Sequence, residues 1–312
     1  MISYDLIIIG GGPAGITAGI YSARRKLKTL LITKDFGGQI AHKTVKIENY
    51  PGFEQISGRD LIEKLKNHFN FYGVLVEFEE IVEMSKSDNL FLVKGKDGVF
   101  SSRAVIVASG AVPRFLNIPG EKDFIGRGVS YCTACDGPMF SEKNIVVVGG
   151  GNAGFEAAIF LANYAKKIFI LESKDAVGAD AANQEKAASL GKIEIITNAA
   201  IKEIAGKNFV EKIIYKDSAG EEEKEIKCEG VFIEAGYRPA SSFVKEDLAD
   251  FNSRKEIMVD FETLKTKTPG LFAAGDVNAG KDKQIIIACG QGAKAALEAY
   301  NYLQEAEKEN KI

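Results

Sequence analysis

YDLIIIGGGPAG, residues 4–15, is repeated in outline by NIVVVGGGNAG, residues 144–154. Each stretch is a short apolar run rich in β-branched residues, followed by three glycines and a segment with small and apolar residues at helical spacing. A second apolar run follows in both copies, LKTLLIT at 27–33 and KIFILE at 167–172. The sequence therefore predicts two strand–turn–helix–strand units built on one plan.

The glycines of both units have the G-x-G-x-x-G spacing of a dinucleotide-binding loop, in the strand-to-helix context that gives this pattern its meaning. The first glycine permits a tight turn, the second lets a pyrophosphate approach the backbone, and the third lets the helix pack closely. A helix N-terminus there favours an anion. A single copy could be a glycine-rich turn without a ligand, but two complete copies favour two dinucleotide sites. These glycines are Gly10, Gly12 and Gly15, then Gly149, Gly151 and Gly154.

The composition is that of an ordinary globular chain of 312 residues, 46% apolar and 27% charged. This length suggests two domains, and a net charge of -3 offers no basic surface for nucleic acid. No apolar run approaches the ~18 residues of a membrane helix. The first apolar run reads as a buried strand rather than a secretory signal. We therefore expect a cytoplasmic protein with no membrane or nucleic-acid partner.

One pair of cysteines stands out, in GVSYCTACDGPMF at 128–140. A zinc site usually needs a second pair or histidines at ligand spacing. The other cysteines, Cys228 and Cys289, are isolated, so we expect no metal. A purely structural disulfide is disfavoured because closing so short a loop removes little chain entropy. A redox pair fits better, since C-x-x-C closes with little backbone movement and tends to lower a thiol pKa.

The order of the motifs resembles that of the low-molecular-weight thioredoxin reductases. The resemblance is nearest to the flavoprotein subunit of alkyl hydroperoxide reductase without its N-terminal extension. The motifs that carry it are the two glycine loops, FGGQI with IENYPG, A-S-G, C-x-x-C-D, and LFAAGD with KQIIIA. It implies an α/β fold with two Rossmann-like domains, each in three layers, the second inserted in the first. An FAD-binding domain would comprise 1–112 and 243–312, and an NAD(H)-binding domain with the cysteines would comprise 113–242.

The resemblance also implies the residues that contact FAD. Asp276 has a physical rationale, because a carboxylate that follows a strand end can accept hydrogen bonds from ribityl hydroxyls. At the end of the second strand, where many dinucleotide sites place an acid for the ribose, either Thr33 or Asp35 could serve. The full implied set is Gly10, Gly12, Pro13, Ala14, Gly15, Thr33, Asp35, Gln39, Asn49, Ser109, Gly110, Gly275, Asp276, Lys283, Gln284 and Ile285.

The second copy indicates which nicotinamide nucleotide is used. NADPH-dependent members of the resembling family have an arginine-rich stretch after the second strand, where this chain has LESKDAVG at 171–178. Glu172 is placed to accept hydrogen bonds from ribose hydroxyls and would repel a 2′-phosphate, so we predict NADH over NADPH. In the alternative, Glu172 faces solvent and Lys174 supports NADPH. The predicted contacts are Gly149, Gly151, Asn152, Ala153, Gly154, Glu172, Ser173, Lys174 and Gly236.

Catalytic roles follow from the same resemblance. Cys135 would face the flavin, Cys132 would attack the disulfide of the partner, and Asp136 would donate and accept the protons that thiol exchange requires. A simpler role for Asp136 is to form the turn before Gly137. The inserted domain would rotate between two states about the crossing segments 111–119 and 237–243.

The predicted activity is electron transfer from NADH through FAD and the Cys132–Cys135 disulfide to a thioredoxin or a glutaredoxin-like redoxin, in a homodimer. One alternative is an electron-donating flavoprotein of a peroxiredoxin system, which acts through a separate redoxin. A second is a ferredoxin-fed flavin thioredoxin reductase, which the intact second glycine loop disfavours. A third is a nucleotide-binding regulatory protein without turnover, which the intact cysteine pair disfavours.

Overall fold

The structure is a computed structural model that describes residues 3–40, 47, 49–131, 133–217 and 222–309. The strands are β1 Ser3–Gly11, β2 Thr29–Phe36, β3 Leu75–Phe78, β4 Ile81–Ser87, β5 Leu90–Gly95, β6 Val99–Val107, β7 Ala111–Pro113, β8 Val129–Ser130, β9 Asn144–Val148, β10 Lys167–Leu171, β11 Ile193–Ile196, β12 Ala199–Gly206, β13 Val210–Asp217, β14 Glu223–Lys227, β15 Gly230–Ile233, β16 Tyr237–Pro239 and β17 Leu271–Ala273. The helices are α1 Pro13–Arg24, α2 Gly58–Phe71, α3 Thr133–Asp136, α4 Asn152–Leu161, α5 Ala181–Ser189 and α6 Ile285–Glu309.

The chain divides into two compact units. The first comprises Met1–Val112 and Arg238–Ile312, and the second comprises Pro113–Tyr237. The second unit is thus one continuous segment between the two segments of the first. None of the helices in the described part of the chain is long and apolar enough to cross a membrane.

The first unit is built on a mainly parallel sheet, in the order β3-β2-β1-β6-β5-β4. Strand β6 pairs with β1 in parallel along its length, and on its other side pairs first with antiparallel β5 and then with parallel β17. The run at 6–9 is buried because both faces of the sheet are covered: Leu6 and Ile8 join one apolar core, and Ile7 and Ile9 join the other. The unit therefore has three layers.

Helices α1 and α6 cover one face of this sheet through close helix contact. Gly292 lies so near α1 that a Cβ there would come 2.1 Å from the carbonyl oxygen of Ala14. Ala295 and Ala299 continue the buried small-residue face of α6. Small side chains therefore bring α6, and the loop before it, next to the glycine-rich start of α1.

The second unit repeats this plan around the parallel sheet β11-β10-β9-β15-β8. Ile145 and Val147 face a core shared with α4 and α5, whereas Val146 and Val148 face a core shared with the antiparallel strands β12, β13 and β14. Two units with parallel sheets and covered faces confirm the predicted α/β fold.

Two helices differ from what periodicity predicts. The run FEAAIFLANYAKK (155–167) reads as one helix, but α4 ends at Leu161. The side chain of Asn163 donates to the carbonyl oxygen of Phe160 at 2.8 Å, a local bond that competes with helix continuation. The run GQGAKAALEAYNYLQEAE (290–307) reads as a C-terminal helix, but α6 starts earlier at Ile285, so that Lys283 and Gln284 directly precede it.

Candidate functional site

The first glycine of each loop has a backbone that only glycine adopts easily. Gly10 has φ +115° and Gly149 has φ +121°. A Cβ at Gly10 would come 2.3 Å from the carbonyl oxygen of Ala108, and one at Gly149 would come 2.4 Å from that of Glu234. Both turns therefore lie against the end of a neighbouring strand with no room for a side chain.

The third glycine of each loop lets the helix pack against the turn. A Cβ at Gly15 would come 1.8 Å from the oxygen of Gly10, and a Cβ at Gly154 would come 1.8 Å from the oxygen of Gly149. The two loops match in this respect because they share one backbone geometry.

The second glycine of each loop is different, because the protein itself does not require it. Gly12 and Gly151 have ordinary φ values of -77° and -85°, and within the described part of the chain a Cβ at either would meet nothing within 4 Å. Each residue is the N-cap of its helix, and neither helix has a side-chain capping bond. The space beside each helix N-terminus, with its unbonded N–H groups, therefore fits a pyrophosphate.

In each unit one side chain, either within or directly after the second strand, accepts a hydrogen bond from the middle glycine of the loop. In the first unit, Thr33 Oγ1 accepts from the N–H of Gly11 at 2.9 Å. In the second unit, Glu172 Oε2 accepts from the N–H of Gly150 at 2.8 Å. Thr33 and Glu172 thus occupy equivalent positions. The Thr33 hydroxyl is buried and also donates to the oxygen of Asp35 at 2.6 Å, while the Asp35 side chain lies exposed.

A backbone hydrogen bond to the middle glycine also repeats in both loops. The N–H of Gly37 donates to the oxygen of Gly11 at 2.8 Å, and the N–H of Gly178 donates to the oxygen of Gly150 at 2.9 Å. The backbone after each second strand is therefore bonded to the glycine loop, and this bond does not involve the side chain of Thr33 or Glu172.

The carboxylate of Glu172 is held in its charged form. Partial burial raises its pKa, but the N–H groups of Lys174 and Gly150 and the hydroxyl of Ser173 outweigh burial, and the pKa lies below its usual value. The bonds to Lys174 N and Ser173 Oγ, at 3.0 and 3.1 Å, both reach Oε1. Ser173 and Lys174, two further predicted contacts, therefore donate hydrogen bonds to the Glu172 carboxylate and stabilise its charge.

Asn152, another predicted contact, is fixed at the first turn of α4. Its Oδ1 accepts from the N–H of Asp180 at 2.7 Å, and its Nδ2 donates to Asp180 Oδ2 at 2.8 Å. This reciprocal pair ties the helix start to the segment that precedes α5. Ala153 follows in the same turn and is exposed.

In the first unit, predicted site residues from the two ends of the chain meet. Gln39 Nε2 donates to Asp276 Oδ2 at 3.1 Å, and Asn49 Nδ2 donates to Gln284 Oε1 at 3.2 Å. Lys283 Nζ donates to the backbone oxygen of Asp276 at 3.1 Å. The loop after β2 is thereby joined to the loop between β17 and α6.

Asp276 is the most buried titratable group of this cluster. It follows Gly275, whose φ is +80°, just after β17. Burial raises the pKa of Asp276, against the charge of Lys283 and the amide of Gln39, which lower it. A half-buried carboxylate that has one side-chain donor among the described residues has acceptor capacity left for ligand hydroxyls.

Sequence reasoning missed the residue that supports this loop, Gln291 on α6. Its Oε1 accepts from the N–H of Gly275 at 2.7 Å and from Nδ2 of buried Asn278 at 2.8 Å. The available signal was a single polar residue on a helix face of small residues, in IIIACGQGA.

The strand ends opposite the glycine loops also correspond. Gly110 has φ +67° and Gly236 has φ +90°, and a Cβ at either would meet nothing within 4 Å. Ser109 is fixed beside the first of them, with Oγ donating to the oxygen of Ala240 at 2.6 Å. Both predicted turns therefore leave open space at the carboxyl end of a parallel strand, where ligands of such sheets bind.

The cysteine pair is described only in part. Cys132 lies outside the described residues, and Cys135 belongs to the short helix α3. Asp136 ends α3, is partly buried, and precedes a 3₁₀ turn at Gly137–Phe140. The predicted roles of Cys132, Cys135 and Asp136 stay predictions.

The two remaining cysteines are buried. Burial, with a smaller contribution from Glu229, raises the pKa of Cys228 to about 12. Cys289 lies on α6 and accepts a hydrogen bond from Tyr50, whose pKa burial and the thiol raise to about 12. Among the residues that the structure describes, no three His, Cys, Asp or Glu side chains are grouped as a metal site.

Comparison with known proteins gives consistent matches. A family model described as pyridine nucleotide-disulphide oxidoreductase matches residues 4–292. An alkyl hydroperoxide reductase subunit of Staphylococcus aureus is 40% identical over 302 residues, which cover 96% of this chain but 59% of the relative. A 34.2 kDa protein in a rubredoxin operon of Clostridium pasteurianum is 39% identical, covering 96% of this chain and 97% of the relative.

Among solved structures, the thioredoxin reductase of Lactococcus lactis superposes with a TM-score of 0.86 at 36% identity, covering 97% of this chain and 99% of that one. The chain thus spans less than two thirds of its hydroperoxide reductase relative and nearly all of the other two. These matches confirm the resemblance that the motif order predicted, and the chain belongs to the pyridine nucleotide-disulphide oxidoreductase family.

Proposed function

We propose that this protein is a thioredoxin reductase-like flavoenzyme. It would carry electrons from NADH through FAD and the Cys132–Cys135 disulfide to a thioredoxin or glutaredoxin-like protein. The observation that carries the proposal is the pair of matching glycine loops, each with open space at its second glycine. Family membership adds that the two ligands are FAD and a pyridine nucleotide.

FAD is assigned to the first unit. Gly12 lies at the N-terminus of α1 beside space for a pyrophosphate, and the cluster of Gln39, Asp276 and Lys283 supplies groups for the ribityl chain. Bound FAD would supply the chemistry that side chains lack, accepting a hydride and passing on two electrons. The task of this chain is to orient the cofactor and exclude competing reactions.

NADH is assigned to the second unit because of Glu172. The lowered pKa of this carboxyl keeps it charged at neutral pH, beside the loop where the adenosine ribose of a dinucleotide lies in such folds. Two ribose hydroxyls can donate to a carboxylate, whereas a 2′-phosphate would meet like charge. Lys174 supplies one nearby positive charge, which weakens the preference for NADH over NADPH but does not reverse it.

Glu172→Gln is expected to lower the ratio of kcat/KM for NADH to that for NADPH by about tenfold, or ~1.4 kcal/mol. Glutamine removes the charge but keeps one oxygen for the N–H of Gly150, so the loop stays closed. Steady-state kinetics with both coenzymes measures the ratio. Glu194→Gln, an exposed loss of the same charge in this unit, is the control and should change nothing. A wild-type preference for NADPH would contradict the assignment.

In the second unit the proposal gives Cys135 the position facing the flavin and Cys132 the attack on the partner. Asp136 handles the protons, for which its place at the end of α3 next to Cys135 is suitable. The crossing segments 111–119 and 237–243 are the proposed hinges. A cytoplasmic location and a homodimer complete the proposal, as the sequence and the family resemblance predict.

A second candidate function is supply of electrons to a peroxiredoxin system through a separate redoxin. It is favoured by the identity to the alkyl hydroperoxide reductase relative, of which this chain spans 59%. The same cysteine pair would act in both functions, so the two differ in the protein that receives the electrons.

The test is reconstitution with purified components. Anaerobic NADH should bleach the flavin, and steady NADH oxidation should require a thioredoxin or glutaredoxin-like protein. Oxidation that also requires a peroxiredoxin and peroxide would favour the second candidate. Failure of both NADH and NADPH to bleach the flavin would contradict the assignment of the second glycine loop and favour a ferredoxin-fed enzyme.

A further inference from the structure

A fully buried carboxylate, Glu121, lies close in sequence to the cysteine pair and has no role in the function described so far. Its Oε1 accepts from the N–H of Leu116 at 2.7 Å and from the hydroxyl of Tyr131 at 2.6 Å. Its Oε2 accepts from the N–H of Asn117 at 2.7 Å. Three donors thus bond to the two carboxyl oxygens, so the buried polar atoms of this side chain are satisfied.

The turn that carries Glu121 is fixed without help from Tyr131. Gly120 has φ +79° and lies so close to β12 that a Cβ would come 1.8 Å from the oxygen of Ile204. The N–H of Ile204 donates to the oxygen of Pro119 at 3.1 Å. Asn117 adopts a left-handed φ of +57°, which turns its N–H toward Glu121. Glu121 is therefore a rigid anchor point, docked on β12.

Tyr131 is the group that this anchor holds. It follows β8, whose residues Val129 and Ser130 pair with β15, and it directly precedes Cys132. Its ring packs edge-on against Phe115 at 5.3 Å between centroids. Burial and the bond to Glu121 both raise the pKa of its hydroxyl, so the phenol stays a donor at all ordinary pH values. The side chain of Tyr131 thus fixes the backbone directly before the cysteine pair, and α3 begins at Thr133.

We propose that Glu121, acting through Tyr131, is a positioning residue for the Cys132–Cys135 pair. The inference rests on the proposed function, in which this pair is the redox centre. Fixing the residue before Cys132 reduces the conformations open to the reduced pair, so less entropy is lost when the disulfide closes. The anchor therefore favours the disulfide and sets how strongly it resists reduction.

The test is the thiol–disulfide equilibrium of the FAD-loaded full chain in glutathione buffers. When glutathione disulfide closes the pair, the two cysteine thiols lose two electrons and two protons, and two molecules of glutathione thiol are formed. Alkylation of the remaining thiols followed by mass spectrometry gives the oxidised fraction. Tyr131→Phe removes only the hydroxyl, and we expect the equilibrium constant for closure to fall by roughly three- to tenfold, which lies within the range for a typical intramolecular hydrogen bond.

Two further variants separate positioning from general stability. Tyr215→Phe removes the same atom from another buried tyrosine of the same unit and should leave the constant unchanged. Glu121→Gln places an amide N–H₂ group against the N–H of Asn117 or of Leu116, and should lower both the constant and the melting temperature. In Tyr131→Phe the rate of flavin reduction by NADH should stay at the wild-type value.

The outcomes distinguish this inference from the proposed function. If Tyr131→Phe has the wild-type closure constant, or differs only in melting temperature, Glu121 has a structural role alone and the inference is overturned. If the wild-type pair forms no disulfide in any glutathione buffer, the proposed function fails and the inference fails with it.

Discussion

Cys135→Ser is expected to lower the kcat for reduction of a redoxin by at least about 10³-fold, because residues that act as one covalent unit lose nearly all activity when one is removed. Reduction of the flavin by NADH should continue at the wild-type rate, since the coenzyme loop is formed by other residues. Anaerobic stopped-flow absorbance measures flavin reduction, and a coupled redoxin assay measures turnover.

The two cysteines should then differ in what they capture. With Cys132 free, Cys135→Ser should form a lasting mixed disulfide with the partner, whereas Cys132→Ser should not. Cys228→Ala is a suitable control, because that thiol is buried with a pKa of about 12. Capture by Cys132→Ser alone would reverse the two roles, and full turnover by either serine variant would remove the pair from the mechanism.

Gly151→Ala is expected to raise the KM for NADH by about 100-fold, or ~2.7 kcal/mol, while the melting temperature stays within about 2 °C of wild type. A Cβ at this position meets no protein atom within 4 Å and the backbone φ of -85° suits alanine. The methyl group would instead occupy the space where the pyrophosphate approaches the helix. Coenzyme titration and thermal unfolding give the two quantities.

The other glycines of the loops provide the contrast. Gly154→Ala would place a Cβ 1.8 Å from the oxygen of Gly149 and should reduce stability sharply, with or without coenzyme. Gly12→Ala should fold but lose flavin, the matching result for the first loop. If Gly151→Ala binds NADH normally, the open space at this glycine does not receive the coenzyme.

The sequence was sufficient for those features that depend on local pattern. The apolar runs at 6–9 and 145–148 predict strands buried on both faces, and the flanking glycines predict the turns. The end of α4 and the start of α6 were less accessible: α4 stops before Asn163, which bonds locally to Phe160, and α6 begins five residues before the predicted start. Helix periodicity does not contain this information.

The candidate site divides in the same way. The place of Glu172 at a strand end predicts contact with the coenzyme, and the structure shows that its carboxylate also bonds to the glycine loop. Gln291 and Glu121 were missed because their partners, the Gly275 N–H and the Tyr131 hydroxyl, are brought to them by tertiary packing. When the hydrogen-bond partners of a buried polar residue lie on other elements, a single sequence does not show which groups they are.

The equivalence of Thr33 and Glu172 has a consequence for the charge of the two loops. Each side chain accepts a hydrogen bond from the N–H of the middle glycine of its loop, Thr33 through a neutral hydroxyl and Glu172 through a charged carboxylate. The other bond to each middle glycine, donated by the N–H of Gly37 or Gly178, is made by the backbone alone. The glycine N–H is therefore satisfied by a neutral oxygen in one half and by a charged one in the other, so the two halves differ in charge at this position while each loop keeps the same bond.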